Sequence, residues 1–323
     1  MAALNEFSLI KTYFNQAAPE GYLGVGDDCA VFAVQPGYQL AVSTDTLIEG
    51  RHFFANTDPY LLGHKALAVN LSDLAAMGAQ PKGCVLALAV PAINDDWLKL
   101  FSAGFYALAH HAHCPLIGGD TTRSNTELVL TVTVFGEVPI AQALRRDLAW
   151  PQDDIWLTGS LGAPDLALSY LSGALPLDAT RLEQSRSLLE APQPPIHFAH
   201  HLLGHAHAAI DISDGLLQDL GHILHASQCG AEIQWAQLPI HESLLGLEAS
   251  QQLKSVLTGG DVFQLCFTAP KSKRAYLTEL AAEHGITLTR IGRITETPTL
   301  EVLDAQQQPL TLPTHKGFDH FSL

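Results

Sequence analysis

Five short segments of this chain set aspartate among glycine, serine or threonine: Gly24-Val25-Gly26-Asp27-Asp28, Ser43-Thr44-Asp45-Thr46, Asn70-Leu71-Ser72-Asp73, Gly118-Gly119-Asp120-Thr121-Thr122 and Asp211-Ile212-Ser213-Asp214-Gly215. Any fold that gathers these segments must offset the repulsion of the carboxylates, and a cation between them does so. Only 15% of the residues are charged, so the acids stand out from an apolar background rather than forming one more solvated face. Oxygen-only donors point to a hard ion such as Mg²⁺, which shares one or two carboxylates with substrate phosphates. The pattern therefore suggests phosphoryl chemistry.

Each segment also has a plainer reading. Gly24 and Gly26 suit an acidic turn, Asp45 an Asx turn at a strand end, and Ser213 or Asp214 an N-cap. Asp73 is harder to dismiss. It falls within a helical stretch beside Leu71, Leu74, Ala75 and Ala76, where an unpaired carboxylate is costly. The glycine pair Gly118-Gly119 follows the apolar Pro115-Leu116-Ile117 and can present N–H groups to a phosphate, with Asp120 holding metal alongside. Capping explains single aspartates better than it explains five such clusters.

The rest of the chain bounds the alternatives. Its 323 residues suffice for two domains, and 47% hydrophobic residues suffice for full cores. A formal net charge of −16 argues against nucleic acid and anionic membrane as partners. Five widely spaced cysteines form no CxxC pair, and no signal-peptide pattern opens the chain, so a cytoplasmic protein is expected. There is no GxxxxGK[ST] loop, HExxH or GxSxG. The 16 histidines lack a ligand pattern and read as surface or half-buried residues.

Periodicity predicts a strand over 38–44 ending at Asp45, a helix over 59–77 opened by Pro59 and stopped by Gly78, and strands over 83–90 and 128–135. A helix capped by Asn94 or Asp95 runs to His111. The second half predicts a strand over 155–158, helices over 164–172, 179–190 and 196–205, and a helix over 216–227. Beyond these come strands over 263–268 and 287–294, with a helix over 272–284 between them. A polar break over 140–153 separates residues 1–140 from 150–323.

In order and spacing these segments closely resemble thiamine-monophosphate kinase. So do Lys65–Ala79 and the ending Lys316-Gly317-Phe318-Asp319-His320-Phe321, and the likeness runs from Glu6 to Phe321. The resemblance implies an aminoimidazole-ribonucleotide-synthetase-like fold of two domains. The N-terminal α+β domain binds ATP and Mg²⁺ and pairs in a homodimer, and the C-terminal α/β domain closes over the site. It implies ATP-dependent phosphorylation of thiamine monophosphate to thiamine diphosphate, with several Mg²⁺ ions and ATP as co-substrate. By position, Asp27, Asp28, Ser43, Thr44, Asp45, Asp73, Asp120, Asp211 and Asp214 correspond to the magnesium set. Of these, Asp28, Asp45, Asp73, Asp120 and Asp214 are implied to be catalytic. Gly119, Asp120, Arg146, Ser213 and Tyr106 correspond to nucleotide contacts, and His52, Asp261 and Phe318 to contacts with the thiamine substrate.

The chain departs from that pattern at Gly259-Gly260-Asp261-Val262-Phe263-Gln264, where the family commonly has Gly-Gly-Glu-Asp-Tyr-Glu. Val262 cannot ligate anything, so substrate affinity is expected to be altered and Val262→Asp to restore it. Two readings from other classes remain: a Mg²⁺-dependent phosphohydrolase, and a nucleotide- or thiamine-binding protein without turnover.

Overall fold

A computed structural model describes residues 6–25 and 29–318. Asp27 and Asp28 lie outside the described residues, as do Asp319, His320 and Phe321. The chain divides into two compact units: residues 1–74 with 79–141, and residues 75–78 with 142–323.

The first unit opens with a short helix α1 (Glu6–Leu9) and a π-helical turn (Ile10–Phe14). Its frame is a four-stranded sheet in the order β1-β4-β2-β3. The strands are β1 (Tyr38–Ile48), β2 (Gln80–Val90), β3 (Leu116–Arg123) and β4 (Val129–Pro139). β4 runs antiparallel to both β1 and β2, while β2 and β3 are parallel. Helix α2 (Pro59–Ala76) starts on a proline whose missing N–H is no loss in a first turn. It stops where Gly78 takes a φ of 67°. Helix α3 (Asp95–His111) is capped by Asn94, whose Oδ1 accepts from the Trp97 N–H at 3.1 Å.

The two helices approach backbone to backbone. A Cβ on Gly104 would lie 1.9 Å from the Tyr60 carbonyl oxygen, and one on Gly63 would lie 2.1 Å from that of Phe101. The inner face of the sheet, with Leu47, Leu86, Leu88, Leu130, Val132 and Val134, is buried. The outer face keeps Leu40, Val42 and Ile48 exposed. Strand alternation sorts these side chains to the two faces.

The second unit holds a six-stranded sheet ordered β10-β7-β9-β5-β8-β6. Its strands are β5 (Asp154–Thr158), β6 (Ala208–Asp211), β7 (Gly230–Gln234), β8 (Leu265–Ala269), β9 (Leu288–Thr295) and β10 (Leu300–Leu303). Its helices are α4 (Ala163–Leu171), α5 (Ala179–Glu190), α6 (Ile196–His200), α7 (Leu216–Ser227), α8 (Ala249–Thr258) and α9 (Arg274–Glu283). Successive β5 residues serve different cores. Ile155 and Leu157 pack with Leu166, Leu217, Leu220 and Val256, while Trp156 packs with Phe198, Phe267, Leu277 and Leu280. Helices thus cover both faces of this sheet.

Several expected boundaries move; β2 starts at Gln80 and β4 runs on to Pro139. β1 runs on through Asp45 to Ile48, so Asp45 lies within the strand rather than at its end. Gly118–Thr122 also lies inside a strand, β3, and not in a turn after one. Helix α6 stops at His200, where the expected helix continues to 205.

Candidate functional site

In the first unit the inner face of β1 meets α2 through polar groups. Ser43 and Asp45 sit two residues apart on the strand, and Asn70 and Asp73 three apart on the helix, so each pair shares a face. The Asp45 N–H donates to Asn70 Oδ1 at 2.9 Å, and Asn70 Nδ2 donates to the Ala66 carbonyl at 3.1 Å. The Ser43 hydroxyl donates to Asp73 Oδ2. Burial pushes the Asp45 carboxyl up to about 6, and the charge of Asp73 adds in the same direction. Two partly buried carboxylates and a hydroxyl thus form an oxygen-only group that a divalent cation suits.

Thr44 takes the other face. Its hydroxyl donates to the Val132 carbonyl at 3.0 Å and accepts from Thr133 Oγ1 at 2.9 Å, which leaves only its backbone beside Ser43 and Asp45. Asp120 is separated as well. Asp45 is level with Val132, Val132 with Leu86 and Leu86 with Gly119, so three strand spacings, about 14 Å, divide Asp45 from β3. The Asp120 side chain is exposed in the row of Ala87, Thr131 and Thr46, on the outer face. Before it, Gly119 permits close pairing, since a Cβ there would lie 2.0 Å from the Leu86 carbonyl oxygen.

His52 lies in the turn after β1, where Nδ1 accepts from the Ile48 N–H at 3.0 Å. That bond places the proton of the neutral ring on Nε2. Tyr106 is on α3, 8% exposed, and its hydroxyl finds no hydrogen-bond partner among the described residues.

In the second unit β6 ends at Asp211, itself buried, and the loop after it leads into α7. The expected N-cap by Ser213 or Asp214 is not formed. Gly215 takes the cap position without a side-chain bond, and Asp219 reaches back from within the helix. Its Oδ2 accepts the N–H groups of Ser213, Asp214 and Gly215, each at 3.0 Å. Burial pushes Asp219 up to about 7, while the three N–H donors pull the other way. The segment from Gly259 to Gln264 lies along the same loop. Asp261 N–H donates to the Ser213 carbonyl at 2.8 Å, Phe263 N–H to that of Ile212 at 2.7 Å, and Ile212 N–H to that of Gln264 at 2.8 Å. Asp261 and Phe263 hold φ values of 59° and 50°, strained for residues with side chains, and strain of this kind gathers at functional sites. The C-terminal segment joins them. The Phe318 N–H donates to the Asp214 carbonyl at 3.0 Å, and Gln218 Nε2 donates to Asp214 Oδ2 at 3.0 Å and to the Phe318 carbonyl at 2.9 Å. Asp211, Ser213, Asp214, Asp261 and Phe318 are therefore neighbours along a single loop system.

Arg146 stands elsewhere. It is exposed on a 3-10 turn (Arg146–Leu148) whose first carbonyl accepts from Ser227 Oγ at 2.8 Å, at the far end of α7. Twelve helical residues, about 18 Å, separate that end from Ser213. Val262 overturns the expectation placed on it. It is 5% exposed in the core with Leu216, Leu257 and Cys266, so an aspartate there would bury a carboxylate instead of meeting substrate. Gln264 is occupied too, its amide accepting from Thr158 and donating to the Gln193 carbonyl, both at 2.8 Å.

Asp219 and Gln218 were not singled out from the sequence. Asp219 carries the same signal as Asp73, an acid on an apolar helix among Leu216, Leu217 and Leu220. Among the described residues no three His, Cys, Asp or Glu side chains form a ready metal cage.

Two family descriptions match the chain: AIR synthase related protein, N-terminal domain, over residues 26–138, and its C-terminal domain over residues 151–305. Thiamine-monophosphate kinase of Escherichia coli (strain K12) is 41% identical over 99% of both chains. The crystal structure of thiamine-monophosphate kinase from Stenotrophomonas maltophilia K279a superposes with a TM-score of 0.82 at 44% identity, covering 88% of this chain and 91% of that one. AaThiL complexed with AMPPCP and TMP gives 0.76 at 26% identity, covering 90% and 89%.

Proposed function

The chain belongs to the thiamine-monophosphate kinase family, and we propose on that premise that it transfers the γ-phosphoryl group of ATP to thiamine monophosphate, yielding thiamine diphosphate and ADP. The observation that carries this reading is the 41% identity over essentially the whole of both chains. The complex of AaThiL with AMPPCP and TMP supports the choice of both substrates.

The residue roles form part of the same proposal. Asp45 and Asp73, with Ser43, hold magnesium in the first unit, together with Asp27, Asp28 and the backbone of Thr44, while Asp120 on the outer face holds it apart from them. Asp211 and Asp214 do so in the second. Magnesium, when bound, supplies positive charge that lets two polyanions approach and aligns their oxygens. Support comes from the donor chemistry: burial and the charge of Asp73 raise the cost of ionising Asp45, and a cation relieves it. Gly119, Ser213, Arg146 and Tyr106 contact the nucleotide. His52, Asp261 and Phe318 hold the acceptor, with the Asp261 carboxylate facing a cationic ring and Phe318 covering it.

No residue is needed as a general base. The second pKa of a phosphate monoester is near 6, so the acceptor oxygen is largely ionised at neutral pH. That oxygen forms the new P–O bond while the bond from γ-phosphorus to the bridging oxygen breaks, and ADP leaves with the electron pair. The test is ADP release with and without thiamine monophosphate. Release that requires the acceptor and stops with EDTA supports the kinase, while equal release without it favours a phosphohydrolase.

The proposal includes a homodimer formed through the outer face of the first sheet. Leu40, Val42 and Ile48 are 44%, 55% and 38% exposed there, beside Thr46 and Thr131. Phe135 and Glu137 on this face are packed by the segment carrying Phe32 and Gln35, and the apolar surface left exposed at Leu40, Val42 and Ile48 suits a second copy. Asp120 lies on the same face, where pairing brings residues of a second copy towards it. Val42→Asp is expected to convert a dimer to a monomer in light scattering, because symmetry sets two new charges in one interface. A wild-type protein that is already monomeric would remove the dimer. Residence in the cytoplasm also belongs to the proposal. Four of the five cysteines are buried and all are free, and no described helix is long and apolar enough to cross a membrane.

A further inference from the structure

We propose that Asp219 is a positioning residue that fills the anion site at the head of α7 with the protein's own carboxylate, and so turns the Ser213–Gly215 loop into one that takes cations rather than phosphate. Three consecutive backbone N–H groups before a helix of 12 residues converge on one point, the arrangement that elsewhere captures a phosphate. Here Asp219 Oδ2 occupies that point, with all three N–H donors at 3.0 Å. Asp219 is only 2% exposed, so no solvent anion shares the place.

With its three N–H donors and two of its carbonyls engaged, the loop is left with the Ser213 hydroxyl and the carboxylates of Asp211 and Asp214. The Ser213 carbonyl receives the Asp261 N–H, and the Asp214 carbonyl receives the Phe318 N–H. Asp214 Oδ2 is steadied by Gln218. One buried carboxylate thereby fixes the backbone from which Ser213 and Asp214 project, just after Asp211 at the end of β6, and with it the two segments that carry Asp261 and Phe318. A bare phosphate approaching this loop meets carboxylates, so nucleotide phosphates are received there only with a cation between. Magnesium binding at this loop rests on the proposed function, whereas the self-filled anion site rests on geometry.

Two variants test it. In Asp219→Ala the N–H groups lose their acceptor and the anion site opens. Inorganic sulfate at 10–50 mM (roughly the range for a weak site) should then raise the melting midpoint of the variant and leave the wild type unchanged. This readout needs no catalytic activity, so it stands even if the kinase reading fails. Asp219→Asn keeps the volume and loses the charge. It should raise the Mg²⁺ half-saturation and lower kcat by about 10- to 100-fold, with the KM for thiamine monophosphate less affected. Should Asp219→Ala not fold, Asp219→Asn alone decides. Wild-type Mg²⁺ dependence in Asp219→Asn would overturn the proposal, as would a folded Asp219→Ala indifferent to sulfate. Loss of stability with unchanged kcat and Mg²⁺ dependence per folded molecule would reduce Asp219 to a helix cap.

Discussion

Asp73→Asn is expected to lower kcat/KM for thiamine monophosphate phosphorylation on the order of 10³-fold, with the melting midpoint in EDTA unchanged or higher. The two halves of that expectation come from one contact set. Asparagine has the volume of aspartate and its amide oxygen can still accept the Ser43 hydroxyl, so the seam between α2 and β1 stays closed. Removing the Asp73 charge also removes a repulsion that raises the Asp45 pKa, which relieves the metal-free protein. What the variant loses is half of a carboxylate pair able to oppose a divalent ion. Steady-state kinetics beside a thermal melt separates the two effects. Wild-type turnover would take Asp73 out of the metal set, and a large fall in the melting midpoint would make it a structural residue.

Gly104→Ala should destabilise the first unit by about 3 kcal/mol or more, seen as a fall of roughly 10 °C in its melting midpoint. Helix propensity alone predicts the opposite sign, since alanine is favoured over glycine by about 1 kcal/mol in a helix interior. Sterics win here because the new Cβ would lie 1.9 Å from the Tyr60 carbonyl oxygen and 2.7 Å from its carbon. Those atoms are backbone, so no side chain can swing aside, and α2 and α3 must separate. Since α2 also carries Asn70 and Asp73, activity should fall along with stability. A circular-dichroism melt within 2 °C of wild type (about 0.5 kcal/mol) would show that the crossing is looser than this geometry.

The sequence was most readable where one local rule governed. Pro59 and Gly78 bracket α2, Asn94 caps α3, and the alternation over 128–135 becomes β4. Asp73 stood out because a carboxylate on an apolar helix calls for a partner, and Ser43 and Asp45 lie across from it. Readings failed where distant parts of the chain decide. Asp154 directly follows the polar break over 140–153, yet it is fully buried in β5 against Arg274, with both bonds at 2.6 Å and 120 positions separating the partners. Gly118–Thr122 looks like a turn after a strand, but Gly119 lets an edge strand lie close to β2. Val262 looks like a change at the substrate, while the alternating strain at Asp261 and Phe263 turns it into the core. Asp219 is legible by the argument used for Asp73, an acid among Leu216, Leu217 and Leu220, while its three N–H partners are fixed only by the fold of the loop before α7.

The measurement that bears most directly on the central claim uses ATP labelled in the γ-phosphate, Mg²⁺ and thiamine monophosphate, with products separated by chromatography after brief and long incubation. The label should appear in thiamine diphosphate in step with ADP, with none retained on denatured protein and none transferred after EDTA. Label released only as inorganic phosphate, with thiamine diphosphate absent at every time, would contradict the kinase.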